Sequence, residues 1–322
     1  MKRLTFWAIT TAAMLASCNN HDRSEQDVLP SDRNAITFLV SDQPLTRYEA
    51  ESADISSLTR KGRGFSVTAV TGEERIIDDA KFFANESCEC EADDGMTYYW
   101  PTDGSEVSFY AYYPSEQHND DVRQCSLDVD YGTLRMNPNG ETDIMAAHYE
   151  GDVLTNDGNV FFNFKHLLSQ VAINVSCDRS GLPPYTEFVL NNLSIVAPAS
   201  SIYDFNTGQV VVEGEEREYS FIKESISVYD YPEHIGTAMI PASSPIVVDG
   251  SNKKQSSCTV IIEGTIIGSS YTKPCETSFT FDLAAGYKST INIVFSWNNV
   301  IATSSFVTVE EWSEDEVYYW DN

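Results

Sequence analysis

Seven cysteines and five histidines are the residues best equipped for chemistry in this 322-residue chain. The cysteines stand at 18, 88, 90, 125, 177, 258 and 275, and an odd count singles one thiol out. Cys88 and Cys90 have no companion Cys or His at the spacing of a zinc site. The histidines, at 21, 118, 148, 166 and 234, are scattered, and none lies three or four residues from another. GxSxG, HExxH, P-loop and GxGxxG motifs are absent. Asp93-Asp94 and Asp120-Asp121 carry charge suited to calcium, but no D-x-[DN]-x-[DN]-G loop surrounds them. A carboxylate pair for glycoside hydrolysis cannot be singled out among 49 acids. No catalytic residue, metal or cofactor is therefore expected, and His166 is expected to be a packed, satisfied side chain.

The special thiol is Cys18. Lys2-Arg3 is a short basic start, and residues 4–15 are mostly apolar. A run of that length is too short for a bilayer core of about 30 Å and reads as the apolar region of a signal peptide. Leu15-Ala16-Ser17-Cys18 then resembles the lipobox of bacterial lipoproteins, with Cys18 as the lipid acceptor. Residues 1–17 read as a signal peptide and 18–34, polar and aperiodic, as a flexible tether. Export makes disulfides feasible for the six remaining cysteines, three in each half, without selecting a pairing.

With 20 Lys+Arg against 49 Asp+Glu, the formal net charge is −29. A surface so acidic repels phosphate backbones and anionic lipid headgroups, so nucleic acid is excluded as a partner. The membrane is approached only through the lipid on Cys18. The 42% hydrophobic content is enough for packed cores.

Short alternating and β-branched runs must position whatever function the chain has. Strands are expected at 36–40, 64–70, 107–112, 160–164, 171–175, 188–195, 209–212, 258–262, 277–281, 290–295 and 306–310. A short helix is expected within 73–85. Asn139-Gly140, Asp157-Gly158 and Asp249-Gly250 punctuate the strands as turns. The pattern reads as all-β, with one sandwich over 35–159 and a second over 160–322. The aromatics of 98–100 and 110–113 read chiefly as core or edge residues. Exposed, they would be stacking platforms for sugars.

In order along the chain stand Leu45-Thr46-Arg47, Tyr99-Trp100-Pro101, Val107-Ser108-Phe109-Tyr110-Ala111-Tyr112, Phe164-Lys165-His166-Leu167-Leu168 and Val307-Thr308-Val309-Glu310-Glu311-Trp312. With the lipobox, this series resembles the fimbrillin family of Bacteroidales, subunits of type V pili and related surface lipoproteins. The resemblance implies two tandem transthyretin-like β-sandwiches. It also implies a life history: lipid anchoring at the outer membrane surface, cleavage by an Arg-specific surface protease, loss of the first strand, and entry of a strand from another subunit. The resemblance makes Ile36, Phe38 and Val40 the removable strand and Arg47 the cleavage site, with Arg60 and Arg63 as alternatives. The donor would lie in 305–322, with Phe306, Val307, Val309, Trp312, Tyr318 and Trp320 as its apolar residues. The implied partners are copies of the chain or related pilus subunits, the protease, and a receptor or glycan on a host or bacterial surface. The competing reading is a monomeric surface lipoprotein that binds glycans through exposed aromatics.

Overall fold

The computed structural model describes residues 35–40, 55–61, 63–115, 123–181, 183, 185–244, 246–248, 251–253, 256–296 and 308–311. Among the described residues the fold is all-β apart from single helical turns at Ile55–Leu58 and Thr155–Gly158. Among the described residues no helix is long and apolar enough to cross a membrane.

The first sandwich is built from β1 (Thr37–Val40), β2 (Phe65–Thr71), β3 (Glu74–Ala84), β4 (Cys90–Ala92), β5 (Val107–Tyr113), β8 (Met145–Gly151), β9 (Asn159–Phe162) and β10 (Lys165–His166). Six of them form one sheet in the order β10-β8-β5-β2-β3-β4, and the pair β1-β9 forms a second. Phe65, Val67, Phe109, Ala111 and Ala147 of the large sheet pack against Phe38, Val160 and Phe162 of the small one.

The expected helix within 73–85 is instead the strand β3. Its apolar residues do not alternate because Asp79, at φ 48°, is bulged out between Ala80, paired with Val67, and Ile77, paired with Ala69. The bulge is held in place: the Asp79 amide donates to Thr68 Oγ1 at 3.1 Å, and its carboxylate accepts from the Tyr112 hydroxyl at 2.6 Å. One extra residue shifts the inward face, so Ile77 and Phe82 both reach the core five positions apart.

The second sandwich has β12 (Glu187–Asp204), β13 (Gln209–Ser220), β14 (Ile226–Val228), β18 (Ser256–Gly268) and β19 (Tyr271–Leu283) in one sheet. Facing it is a sheet in the order β15-β11-β20-β21, from Glu233–Pro241, Leu168–Cys177, Tyr287–Phe295 and Thr308–Glu311. A separate two-stranded ribbon pairs β16 (Ile246–Val248) with β17 (Ser251–Lys253). Core residues include Val171, Ile173, Leu193, Ile195, Val260 and Ile291.

The two sandwiches share chain. The hairpin of β6 (Cys125–Asp128) and β7 (Thr133–Met136) pairs with the far end of β12. β9, which straddles the expected division at 159/160, and β10, which lies beyond it, pair with β1 and β8. A third core seals the joint, in which Tyr110, Tyr112 and Ala146 of the first sheet meet Leu134, Met136, Tyr203 and Phe205. His166 lies beside this joint. It is buried, and its Nδ1 stands 2.6 Å from Asp143 Oδ2.

All six cysteines from Cys88 to Cys275 are free thiols. In the β18-β19 ladder Cys258 lies opposite Phe281 whereas Cys275 lies opposite Gly264. Six positions of strand separate them, roughly 20 Å, far beyond disulfide reach. Burial pushes the Cys90 thiol up to about 12 and raises those of Cys177, Cys258 and Cys275, which favours the protonated form at these four positions.

The His148 imidazole stacks on the Tyr110 ring at 4.8 Å between the first sheet and the joint. Burial lowers its pKa, and Glu150, 3.6 Å from Nε2, opposes that only in part. A histidine held below its unfolded value near 6.5 contributes stability above that pH and loses it as pH falls through the folded pKa. The urea midpoint is therefore expected to fall more steeply between pH 7 and pH 5 in the natural chain than in His148→Phe. Equal slopes would remove His148 from the account.

Candidate functional site

The candidate site is the slot that β1 fills. Alternation in the segment around Phe38 sends Ile36, Phe38 and Val40 inward, where 7%, 3% and 4% of each remains exposed. Thr37 faces solvent and Leu39 is half-buried. One edge of β1 pairs in parallel with β9, with Thr37 opposite Asn159 and Val40 opposite Phe162. The other edge meets residues 88–99: the Ile36 amide donates to the Tyr98 carbonyl and the Val40 amide to the Cys88 carbonyl, both at 2.9 Å. Bridges Ala35–Tyr99 and Leu39–Glu89 complete that edge. β1 is thus an interior strand, although it is the first of the described elements.

Phe38 is its anchor. The ring meets Phe82 edge-on at 4.9 Å, meets Phe109 edge-on at 5.8 Å and stacks on Phe162 at 5.9 Å. Burying three side chains of this size stabilises by roughly 5–9 kcal/mol at about 1.5–3 kcal/mol each. That is comparable to the whole stability of an ordinary domain. Without β1 the slot would expose Phe82, Phe109 and Phe162 together with the free edges of β9 and of residues 88–99. A cavity of about 430 Å³ already borders the strand, lined by Phe38, Phe82, Cys90, Ala92 and Tyr98 among others.

The alternative cleavage positions sit just beyond the slot's floor. The Arg60 guanidinium lies 4.4 Å over the Phe83 ring and 3.3 Å from Asp93 Oδ1. Arg63 has φ 84°, and its carbonyl accepts from the Ser115 hydroxyl at 3.3 Å. Gly64 follows at φ 71°, where a Cβ would lie 2.4 Å from the Phe82 carbonyl oxygen. Leu58, two residues before Arg60, is fully buried in the same core as β1.

At the other end of the chain, β21 carries Val309 and pairs antiparallel with β20, Ser289 opposite Val309. It is the edge strand of its own chain's second sandwich. Cys18, Arg47, Phe306, Val307, Trp312, Tyr318 and Trp320 lie outside the described residues.

The stacking platforms considered for the glycan reading are mostly interior. Trp100, Tyr110, Tyr112 and Tyr113 are buried, and the Trp100 indole donates to the Gly158 carbonyl at 3.0 Å. Rings on both faces of β5 are consumed by the first core and the joint, so only Tyr99 stands out to solvent. Among the described residues no cluster of three or more His, Cys, Asp or Glu could hold a metal ion. Sequence reasoning missed residues 88–99 as the second wall of the slot. Toward β1 they make isolated bridges, and the one strand among them, β4, is three residues long, too short to carry a periodic signal.

Solved structures similar to this one share its fold at low identity. A fimbrial protein from Bacteroides vulgatus has TM-score 0.61 at 13% identity, over 87% of this chain and 100% of that one. A protein assigned to cell adhesion from Bacteroides uniformis has TM-score 0.51 at 19% identity, over 87% and 99%. One assigned to cell adhesion from Parabacteroides distasonis has TM-score 0.52 at 10% identity, over 86% and 94%. No curated protein sequence matches. The family described as fimbrillin-like matches residues 46–312, which is most of the chain. The chain belongs to the fimbrillin-like family.

Proposed function

We propose that this protein is a structural subunit of an adhesive surface pilus. In this reading it is exported as a lipoprotein anchored through Cys18 at the outer membrane and cleaved after Arg47 by an Arg-specific protease. Loss of β1 then opens the slot, a strand from the 305–322 region of another subunit fills it, and the subunit passes from the membrane into the fimbrium. The fimbrial and adhesion assignments of the structural relatives agree with a place at the cell surface.

The observation that carries the reading is the placement of β1. It is hydrogen-bonded along both edges, three of its side chains are core, and it precedes every other described element. An interior strand that precedes the rest of the described fold leaves after one proteolytic cut and creates a vacancy of defined shape. Unpaired backbone and apolar core make that vacancy costly in water until another strand enters. Each subunit then gives one strand and receives one through different surfaces, a head-to-tail contact that does not close on itself.

Arg47 is favoured over Arg60 and Arg63 on physical grounds. Proteases bind substrate in extended form. Arg60 is tied to Phe83 and Asp93, and Arg63 sits in a left-handed turn against a glycine that has no room for a side chain. A cut at either would also strip Leu58 from the core.

The donor region has two apolar runs, one around Val309 and one at Val317-Tyr318-Tyr319-Trp320. Because 308–311 pair with β20 in the free subunit, donation requires that edge strand to detach or the later run to serve. Trypsin treatment of the purified protein followed by unboiled SDS gels tests the scheme. An SDS-resistant ladder is expected, and it should vanish on deletion of residues 305–322. Clean loss of residues up to Arg47 with the product still monomeric would refute the pilus reading.

A further inference from the structure

The end of the second sandwich farthest from the first is dressed unlike the rest of the surface. Here β11 ends at Cys177, β14 at Val228, β18 at Gly268 and β20 at Phe295, while β12 begins at Glu187, β15 at Glu233 and β19 at Tyr271. Ladder pairs tie these ends together: Cys177 with Phe295, Phe188 with Val228, and Glu187 with Ile267. The first sandwich is attached at the opposite end, where Gly286 bonds Leu168 and β12 meets β7.

Six aromatic side chains are strongly exposed among the described residues, and three of them, Tyr185, Tyr229 and Tyr231, stand on this end. Tyr185 is 90% exposed and is held out at φ 64°. Tyr229 and Tyr231 stack on one another, ring planes 4° apart and centroids 5.4 Å apart, yet remain 44% and 55% exposed. Ile267 is exposed on the adjoining strand end. The scaffold fixes these positions: the Cys177 amide donates to the Tyr229 carbonyl at 2.7 Å, and Thr186 Oγ1 lies 3.0 Å from the Tyr271 hydroxyl. Charges of both signs lie at this end, since Asp178 and Arg179 follow Cys177 directly and Asp230 stands between Tyr229 and Tyr231 in the chain.

We propose that this tyrosine-bearing end is a binding site for an uncharged glycan. Loops at one end of a β-sandwich, rich in tyrosine and small polar residues, give rigid amphipathic contact at low entropic cost. The sequence between these strands fits that description, with Ser180, Gly181, Tyr185 and Thr186 in one connection and Tyr229-Asp230-Tyr231 in another. A paired tyrosine stack offers flat faces on which the C–H face of a pyranose ring lies without losing hydrogen bonds. The carboxylates of Asp178 and Asp230 can accept from sugar hydroxyls, and Arg179 can donate to ring and hydroxyl oxygens.

Size and charge select this ligand over others. The stacked pair, 44% and 55% exposed, presents on the order of 200 Å², taking about 200 Å² per tyrosine. That is only about a quarter of one side of a stable protein interface. A chain of net charge −29 would repel sialylated or phosphorylated glycans, which leaves neutral sugars. The site does not depend on the slot or on polymerisation, so it stands or falls separately from the pilus reading.

The test uses the full chain in detergent on an array of neutral oligosaccharides of glucose, galactose and mannose, followed by calorimetric titration of the best-retained disaccharide or trisaccharide. Retention of a neutral glycan is expected, and Tyr229→Ala/Tyr231→Ala should weaken it about tenfold or more, with an unchanged melting temperature because the rings are outside the core. Tyr131→Ala, an exposed ring on the β6-β7 turn, should leave affinity within about twofold, as should Tyr231→Phe, which keeps the stacking face. Failure to retain any neutral glycan would overturn the proposal. So would binding that survives the double substitution, or loss in that variant of a protein ligand alone.

Discussion

Arg47→Ala is expected to give a folded, lipidated, monomeric protein that does not assemble. The substitution lies outside β1 in the chain, so β1 keeps its bonds to β9 and to residues 88–99. Folding and thermal stability should therefore match the natural protein within experimental error. Assembly should fall below detection, because an uncut β1 cannot leave. The strand is worth roughly 5–9 kcal/mol in buried side chains alone, so spontaneous exposure of the slot has an equilibrium fraction of about 10⁻⁴ to 10⁻⁷. Unboiled SDS gels of cells carrying the variant provide the measurement. A normal ladder would move cleavage to Arg60 or Arg63, despite the contacts that hold both.

Phe38→Ala should have the largest effect on stability of any single change in the slot. The ring has aromatic neighbours on three sides and is 3% exposed, so its removal leaves a cavity the surrounding rings cannot fill. Large-to-small changes of this kind cost about 3–5 kcal/mol. The urea midpoint of the uncut precursor should fall accordingly. After proteolysis the sign reverses in its consequence: a weaker β1 leaves faster, so the same variant should assemble sooner than the natural chain at equal protease. A precursor of unchanged stability would mean that Phe38 is not the anchor of the strand.

The first strand was legible because its apolar residues alternate and one face looks outward. The strand β8 was not, and burial on both sides explains it. Met145 and Ala147 face the first core while Ala146 faces the joint, so the first half of the strand, before His148 and Glu150, shows no polar face to reveal the period. β3 was misread as helical because the bulge at Asp79 breaks its alternation. β12 was read as 188–195 but runs from Glu187 to Asp204, through Pro198 and two register shifts that look like strand ends in sequence. The hairpin β6-β7 pairs across the expected division, a choice of partner that no local pattern encodes.

The slot was half legible. Ile36, Phe38 and Val40 and their inward face follow from alternation, whereas the wall at 88–99 follows only from the fold. β21 adds a physical restraint that sequence could not supply, since its backbone pairs with β20 before any exchange. The surface rings illustrate the same limit. Sequence drew attention to the dense aromatics of 98–100 and 110–113, most of which are interior, and passed over the sparse tyrosines at the far end of the second sandwich.

Mass spectrometry of the subunit recovered from the SDS-resistant polymer tests the central claim most directly. The account predicts a single mass for Tyr48 to Asn322, 275 residues, with Ile36, Phe38 and Val40 absent. Polymer built from subunits that still carry residues 35–40 would contradict it, because the slot would then be filled by its own strand.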